Sequence, residues 1–246
     1  MKVTLIRPSI GRPRLHTFEA AAIEPLQLGV LSALTPDDVE VVLYDDRLEP
    51  IPFDEPTDLV ALTVESFTAK RAYEISARYR ARGVPVVMGG MHPTLIPQEV
   101  TLHADAVFVG DAEVLWAKVI RDARAGRLRT LYSARPHRPQ ENIFPDRALF
   151  RGKGYLPLSL IQFSRGCPHS CSFCAPARYF RGNQYFRVID QVVREISENR
   201  LRILLFVDDN FTANPRAAKE LMRELIPLKV MWGSQPSTQM IRDPEL

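Results

Sequence analysis

The stretch Ile161-Gln162-Phe163-Ser164-Arg165-Gly166-Cys167-Pro168-His169-Ser170-Cys171-Ser172-Phe173-Cys174, running on to Phe180, holds all three cysteines of the 246-residue chain. Cys167, Cys171 and Cys174 form a C-x3-C-x2-C array directly after an apolar run, Leu156 to Phe163. That spacing lets three sulfurs reach one metal centre. An iron–sulfur cluster normally takes four protein ligands, so three thiolates without a fourth leave one iron open to an outside ligand. Three plainer readings stand beside this one. His169 would complete a Cys3His zinc set, although it is cramped against the usual zinc spacings. Three free thiols without metal are another, opposed by the confinement of every cysteine to eight positions. The third is an electron-transfer protein with an ordinary cluster, and for that the fourth cysteine is missing.

The run Arg165 to Cys174 resembles the cluster motif of radical S-adenosylmethionine enzymes, including the aromatic residue before the last cysteine. The resemblance implies a 4Fe-4S cluster ligated by Cys167, Cys171 and Cys174, with S-adenosylmethionine at the fourth iron and Phe173 packed near the adenine. In that family an electron from the cluster cleaves the sulfonium to a 5′-deoxyadenosyl radical. The cofactors carry the radical chemistry, while the protein positions and shields them.

Composition sets the outer bounds: 46% hydrophobic and 25% charged residues describe an ordinary globular chain. The net charge of +3 is spread along the sequence, so nothing demands nucleic acid. No run of about 18 apolar residues would span a bilayer, and Met1-Lys2 leads into Val3 without a signal-peptide pattern. The expected location is cytoplasmic, with no membrane partner. An odd number of clustered cysteines fits a reducing compartment.

From residue 1 to 125, short apolar runs alternate with helical stretches, the pattern of a parallel sheet covered by helices. Strands are expected at Val3–Arg7, Val39–Tyr44, Leu59–Val64, Val84–Met88 and Ala106–Val109. Helices are expected at Leu26–Leu34, Thr68–Arg82 and Glu113–Ala125. Arg47 to Thr57 carries three prolines and reads as an extended crossover. Ligands of such sheets bind outside the carboxyl ends of the strands. The candidate site is therefore four loops, Pro8–Arg14 with Ser9, Glu65–Thr68 with Ser66, Gly89–Thr94 and Gly110–Glu113. Adjacent glycines permit close backbone approach, and Pro93 restricts His92.

Read with the cysteine array, Gly89-Gly90-Met91-His92-Pro93-Thr94 resembles part of the cobalamin-binding domain that precedes the radical domain in one branch of the family. Glu24-Pro25-Leu26-Gln27-Leu28-Gly29 and Gly110-Asp111-Ala112-Glu113 are similar to two further motifs of that branch. The resemblance implies a Rossmann-like, flavodoxin-like domain over residues 1–125 that binds cobalamin through Ser9, Glu65, Ser66, Gly89, Gly90, His92, Pro93, Thr94, Gly110 and Glu113. Cobalamin-dependent mutases and methionine synthases carry a D-x-H-x-x-G loop after the first strand. Here that loop reads Pro8-Ser9-Ile10-Gly11-Arg12-Pro13, so bound cobalamin is expected base-off and histidine-off.

Residues 126–157 read as a linker rich in arginine and proline. A second α/β series then spans residues 158–246, with strands Leu158–Ser164, Ile203–Val207 and Lys229–Trp232 and helices Arg187–Asn199 and Pro215–Leu225. The resemblance makes these the first βα units of a partial TIM barrel, whose site lies on the loops after the strands. Asp208, Asp209 and Asn210 follow the second strand and are expected to bind S-adenosylmethionine by accepting hydrogen bonds, although such residues equally cap helices. Gln235 follows the third strand and resembles a polar site residue of the same branch. A full barrel runs to about 250 residues, so a C-terminally truncated chain is expected.

The resulting expectation is a cobalamin-dependent radical enzyme that moves a methyl group to an unactivated carbon of a small molecule, fed by a flavodoxin or ferredoxin. A fragment that binds cobalamin or cluster without turnover is the alternative from another class. A methylthiotransferase acting on RNA is disfavoured by the absence of cysteine before Cys167 for a second cluster.

Overall fold

The computed structural model describes residues 1–10 and 22–246, and the chain divides into two compact units. One unit comprises residues 1–136 and 145–155, the other residues 137–144 and 156–246. Residues 11–14 of the expected loop after the first strand, including Gly11, Arg12 and Pro13, lie outside the described residues.

The first unit contains β1 (Lys2–Arg7), α1 (Leu26–Ala33), β2 (Glu40–Asp45), β3 (Leu59–Thr63), α2 (Ala69–Ala81), β4 (Val86–Gly89), α3 (Met91–Leu95), α4 (Pro97–Val100), β5 (Ala106–Val109), α5 (Trp116–Arg124) and β6 (Leu131–Ser133). Its strands pair in parallel, in the order β2-β1-β3-β4-β5-β6. The first five follow the flavodoxin-like order, and the order reverses between β1 and β3. Alternate strand residues serve opposite faces. Leu5, Leu59, Ala61, Val87 and Phe108 pack with Leu28, Trp116 and Val119. Ile6, Val60, Leu62, Val86 and Met88 pack with Ala72, Ile75 and Tyr79. With both faces covered, the strands read as near-continuous apolar runs.

The β2–β3 crossover has no helix, as its prolines imply. Ile51 and Phe53 bury themselves in the place of one, and the Arg78 guanidinium lies 3.4 Å from the Phe53 ring centroid. The stretch 126–157 is more than a linker. Leu131–Ser133 pairs with β5 and buries Tyr132, and Phe150 packs over Gly29 of α1. A three-residue edge strand is too short to leave a period in the sequence.

The second unit contains β7 (Ser159–Ile161), β8 (Ser164–Gly166), α6 (Ala175–Phe180), β9 (Gln184–Phe186), α7 (Ile189–Glu198), β10 (Ile203–Phe206), α8 (Pro215–Leu225) and β11 (Met231–Gly233). β7, β10 and β11 form a parallel sheet in that order, and α7 and α8 contribute Val192, Ile196, Leu221 and Leu225 to its core. This is the βα succession of a partial barrel. Pro215 opens α8 at a position where its missing N–H costs nothing, and the Asn214 side chain caps it by accepting from the Ala217 amide at 3.2 Å. The expected strand Leu158–Ser164 is divided. β7 ends at Ile161, and Ser164 begins an antiparallel hairpin of β8 with β9. Among the described residues no helix is long and apolar enough to cross a membrane.

Candidate active site

The cysteine loop leaves the hairpin strand β8 and leads into α6. Cys167 is buried, Cys174 half-buried and Cys171 exposed. The Cys174 amide donates to the Cys171 carbonyl at 3.1 Å, closing a tight turn between the last two thiols. Gly166 has a φ of +85°, and a Cβ there would run into the Asn183 carbonyl oxygen and the Phe180 ring. Only glycine meets both conditions.

Three consecutive residues after β10 brace this loop. Asp208 accepts from the Phe163 amide at 3.1 Å, from the Ser164 amide, and from the Ser164 hydroxyl at 2.6 Å. Asp209 accepts from the Gly166 amide at 2.6 Å. The Asn210 Nδ2 lies 3.8 Å from the Cys167 sulfur. Gln184 of β9 completes the bracing by donating to the Ser164 hydroxyl oxygen at 3.1 Å and to the Asn210 carbonyl at 3.2 Å. Burial pushes the Asp208 carboxyl up to about 6, against the opposing pull of the Ser164 and Phe163 hydrogen bonds.

These contacts add a role inside the protein to the residues after β10. Asp208 is buried and accepts from the backbone and hydroxyl of the loop through both oxygens, so it positions the protein. Neither it nor Asp209 caps α8, since Asn214 does. Gln235 is exposed, and its carbonyl accepts from the Phe211 amide at 3.0 Å. Phe173 is 90% exposed.

Among the described residues no three His, Cys, Asp or Glu side chains gather closely enough to hold one metal ion. A four-iron cluster asks for something different, one thiolate on each of three irons, and the donor set of three cysteines fits it.

In the first unit, the expected residues lie at the carboxyl ends of β1, β3, β4 and β5; the expected loop Gly89–Thr94 is instead the last residue of β4, Gly90 and most of the short helix α3, which carries His92, Pro93 and Thr94. Ser9 is buried and donates to Asp46 through its amide at 3.1 Å and its hydroxyl at 2.6 Å. Arg71 holds both oxygens of the same carboxylate at 2.8 Å. Burial raises the Glu65 carboxyl above its ordinary range, partly offset by the charge of Arg7. Gly90 has a φ of +110°, and a Cβ there would meet the Val64 carbonyl oxygen at 2.7 Å. Thr94 donates to the Gly90 carbonyl at 2.8 Å and accepts from the Gly110 amide at 2.9 Å, tying two of the loops together. Pro93 is buried behind them, and Glu113 lies half-buried in a 3-10 turn, Ala112–Val114.

His92 is buried, with its Nε2 2.9 Å from the Tyr73 hydroxyl and its Nδ1 3.3 Å from the Ser66 hydroxyl. Tyr73 in turn donates to Glu99 at 2.8 Å. With that proton committed to Glu99, Nε2 is the nitrogen that donates and Nδ1 the one that accepts. Both ring nitrogens are engaged within the protein.

Sequence reasoning missed Asp46, Arg71, Tyr73, Glu99, Ser164, Gly166 and Gln184. One signal was available. Each of the acidic doublets, Asp45-Asp46 and Asp208-Asp209, sits at the carboxyl end of a strand and has work to do there.

Residues 161–239 match the model of the radical SAM superfamily. The chain is 31% identical over its whole length to a bacteriochlorophyllide d C-12(1)-methyltransferase of Chlorobaculum tepidum, and spans 56% of that relative. Among solved structures, 93% of it superposes with a TM-score of 0.68 on 52% of the radical S-adenosylmethionine methyltransferase TsrM of Kitasatospora setae, at 18% identity. The whole chain superposes with a TM-score of 0.71 on 40% of OxsB, a cobalamin-dependent S-adenosylmethionine radical enzyme, at 16% identity. The chain spans about half the length of the curated relative, and its fold is that of both solved enzymes. Residues 161–239 are thus a radical SAM region, and the chain is a homologue of a bacteriochlorophyllide d methyltransferase.

Proposed function

We propose that this protein is a radical S-adenosylmethionine enzyme in which Cys167, Cys171 and Cys174 ligate a 4Fe-4S cluster and the unit of residues 1–125 carries cobalamin, and that it transfers a methyl group to an unactivated carbon of a small molecule. The observation that carries this reading is the three-cysteine loop held residue by residue from the end of β10. Bound there, the cluster supplies the electron that starts radical chemistry on S-adenosylmethionine, and cobalamin supplies the methyl group. The chain's own residues hold the loop rigid on the buried Cys167 side. The Cys171 and Phe173 side stays open, where Phe173 is available to an adenine ring. Gln235 is exposed and keeps its side chain for a polar ligand group. An external low-potential flavodoxin or ferredoxin would feed the electron.

The cobalamin reading is supported by an apolar rim. Ile10, Phe67, Leu95 and Val114 are all exposed, and they lie on the segments that follow β1, β3, β4 and β5, Leu95 at the end of α3. Such exposure suits a broad, largely apolar ring that covers the carboxyl edge of a doubly wound sheet. Ser66, Gly89, Gly90, Thr94 and Gly110 lie on or next to the same segments, where glycine and hydroxyl positions let backbone approach a ligand. The relative's methyl-transfer activity supports the reaction class.

Anaerobic reconstitution with iron and sulfide, followed by EPR of the reduced protein, tests the reading. A 4Fe-4S signal that shifts when S-adenosylmethionine is added is the expected result. Failure to assemble a cluster would overturn it.

A further inference from the structure

Asn210 was expected to hold a cofactor, but its side chain is already committed. The residue is 5% exposed, and its Oδ1 accepts from the Ser237 amide at 3.1 Å. An amide whose oxygen is pinned by a donor has its NH2 fixed on the other side. That NH2 faces the Cys167 sulfur at 3.8 Å, within reach of a hydrogen bond to the larger sulfur atom. The residue's own carbonyl is held by Gln184, so backbone and side chain are both fixed.

We propose that Asn210 is a positioning residue that sets the reduction potential of the cluster, through an N–H···S hydrogen bond to Cys167. The proposal rests on the reading of the three cysteines as cluster ligands. Reduction adds an electron whose charge spreads onto the ligating sulfurs. A donor aimed at one of them therefore stabilises the reduced state more than the oxidised one, and hydrogen bonds to sulfur are among the determinants of cluster potential.

The three thiols differ in what they need. Cys171 is exposed and Cys174 half-buried, so water can solvate their sulfurs. Cys167 is buried, where water does not provide that donor and a fixed dipole acts through a lower dielectric. The protein thus supplies a donor to the sulfur of the most buried of the three cysteines. It takes that donor from the loop after β10, whose preceding residues already brace the rest of the cysteine loop.

The test is a reductive titration of the reconstituted cluster, monitored by EPR, with iron content measured on the same samples. Asn210→Leu removes the donor, and Asn210→Asp keeps the acceptor for Ser237 but turns an oxygen toward the sulfur. Both are expected to bind iron and to titrate at a more negative potential than the parent, with the larger shift in Asn210→Asp. Ser237→Pro removes the N–H that pins Asn210 and sets a ring carbon against its Oδ1, so the Asn210 side chain must turn and its NH2 leaves the Cys167 sulfur. Ser237 has a φ of −80°, which proline adopts without strain, so this variant remains informative if Asn210→Leu does not fold. It is expected to shift the potential in the same direction by a smaller amount.

Variants that assemble clusters at the parent's potential would overturn the proposal while leaving the cluster reading standing. Lower iron content without a change in potential would also overturn it, because that is the signature of a structural role alone. A parent protein that assembles no cluster would overturn both.

Discussion

The Asp208 carboxylate accepts both the amide hydrogen and the hydroxyl hydrogen of Ser164, the latter at 2.6 Å. The first unit repeats the device. Asp46, after β2, accepts the amide and hydroxyl hydrogens of Ser9, after β1. In each case an aspartate at the carboxyl end of one strand fixes a serine in the loop after the neighbouring strand. A serine offers two donors from one residue, and a carboxylate can accept both. Both loops also carry expected ligand residues, so the pairing sets the site before any cofactor arrives.

Asp208 gives this pairing a pH signature. Its folded pKa of about 6 lies above the ordinary 3.8 because burial opposes the charge. Between those values the folded state binds more protons than the unfolded, so this group's contribution to stability falls as pH rises through that window. Asp208→Asn cannot titrate. Denaturation of both proteins from pH 4 to pH 7 should show the parent losing stability relative to the variant up to about pH 6, and no further change above it.

Asp46 should behave in the opposite sense. Burial raises its pKa, but hydrogen bonds from Arg71 and Ser9 outweigh burial and leave it below the ordinary range. Its contribution to stability is present above 3.8 and is lost as pH falls through the folded value. Arg71→Leu leaves the buried carboxylate with Ser9 alone, and should cost about 2–3 kcal/mol at neutral pH. The difference from the parent should shrink toward acid, as a denaturant series would report.

Gly166→Ala should be among the most damaging small changes. Its φ of +85° is strained for any side chain, and the added methyl has no room between Asn183 and Phe180. Strain of this kind costs about 1–3 kcal/mol, and the clash adds to it. Because Gly166 directly precedes Cys167, iron incorporation should fall together with the denaturation midpoint.

His92 should not bind cobalt. Both its ring nitrogens are taken, by Tyr73 and by Ser66, in a buried position. Cob(II)alamin added to the protein should give an EPR spectrum without nitrogen coupling from histidine, and His92→Ala should give the same spectrum. Tyr73→Phe should instead cost about 1 kcal/mol of stability, since it leaves the buried His92 Nε2 without a partner while exposed Glu99 turns to water.

The parallel sheets were legible because doubly buried strands announce themselves as apolar runs, as at Leu59–Thr63, which is buried throughout. Helix α8 could be read to its exact ends, with Asn214 and Pro215 marking its start. The hairpin of β8 and β9 was not legible. Ser164-Arg165-Gly166 and Gln184-Tyr185-Phe186 carry no shared period, and the residues between them hide the pairing. The doublet Asp208-Asp209 was visible as polar residues after a strand. Sequence spacing cannot say whether such a carboxylate faces a ligand or a neighbouring loop, and here the unpaired amides of Phe163, Ser164 and Gly166 claim it. His92 was picked out by its glycine neighbours, while Tyr73 and Glu99 lie on α2 and α4 and share no motif with it.

The braces of the cysteine loop lie 43 or 44 positions downstream of what they hold. During synthesis, therefore, Cys167 leaves the ribosome well before Asp208, Asp209 and Asn210 exist to fix its surroundings, and chains grow at about 5–20 residues per second. For that interval the thiols sit on an unorganised segment, open to oxidation or to stray metal. The surroundings of Cys167 are therefore organised only once β10 has been made and has paired with β7.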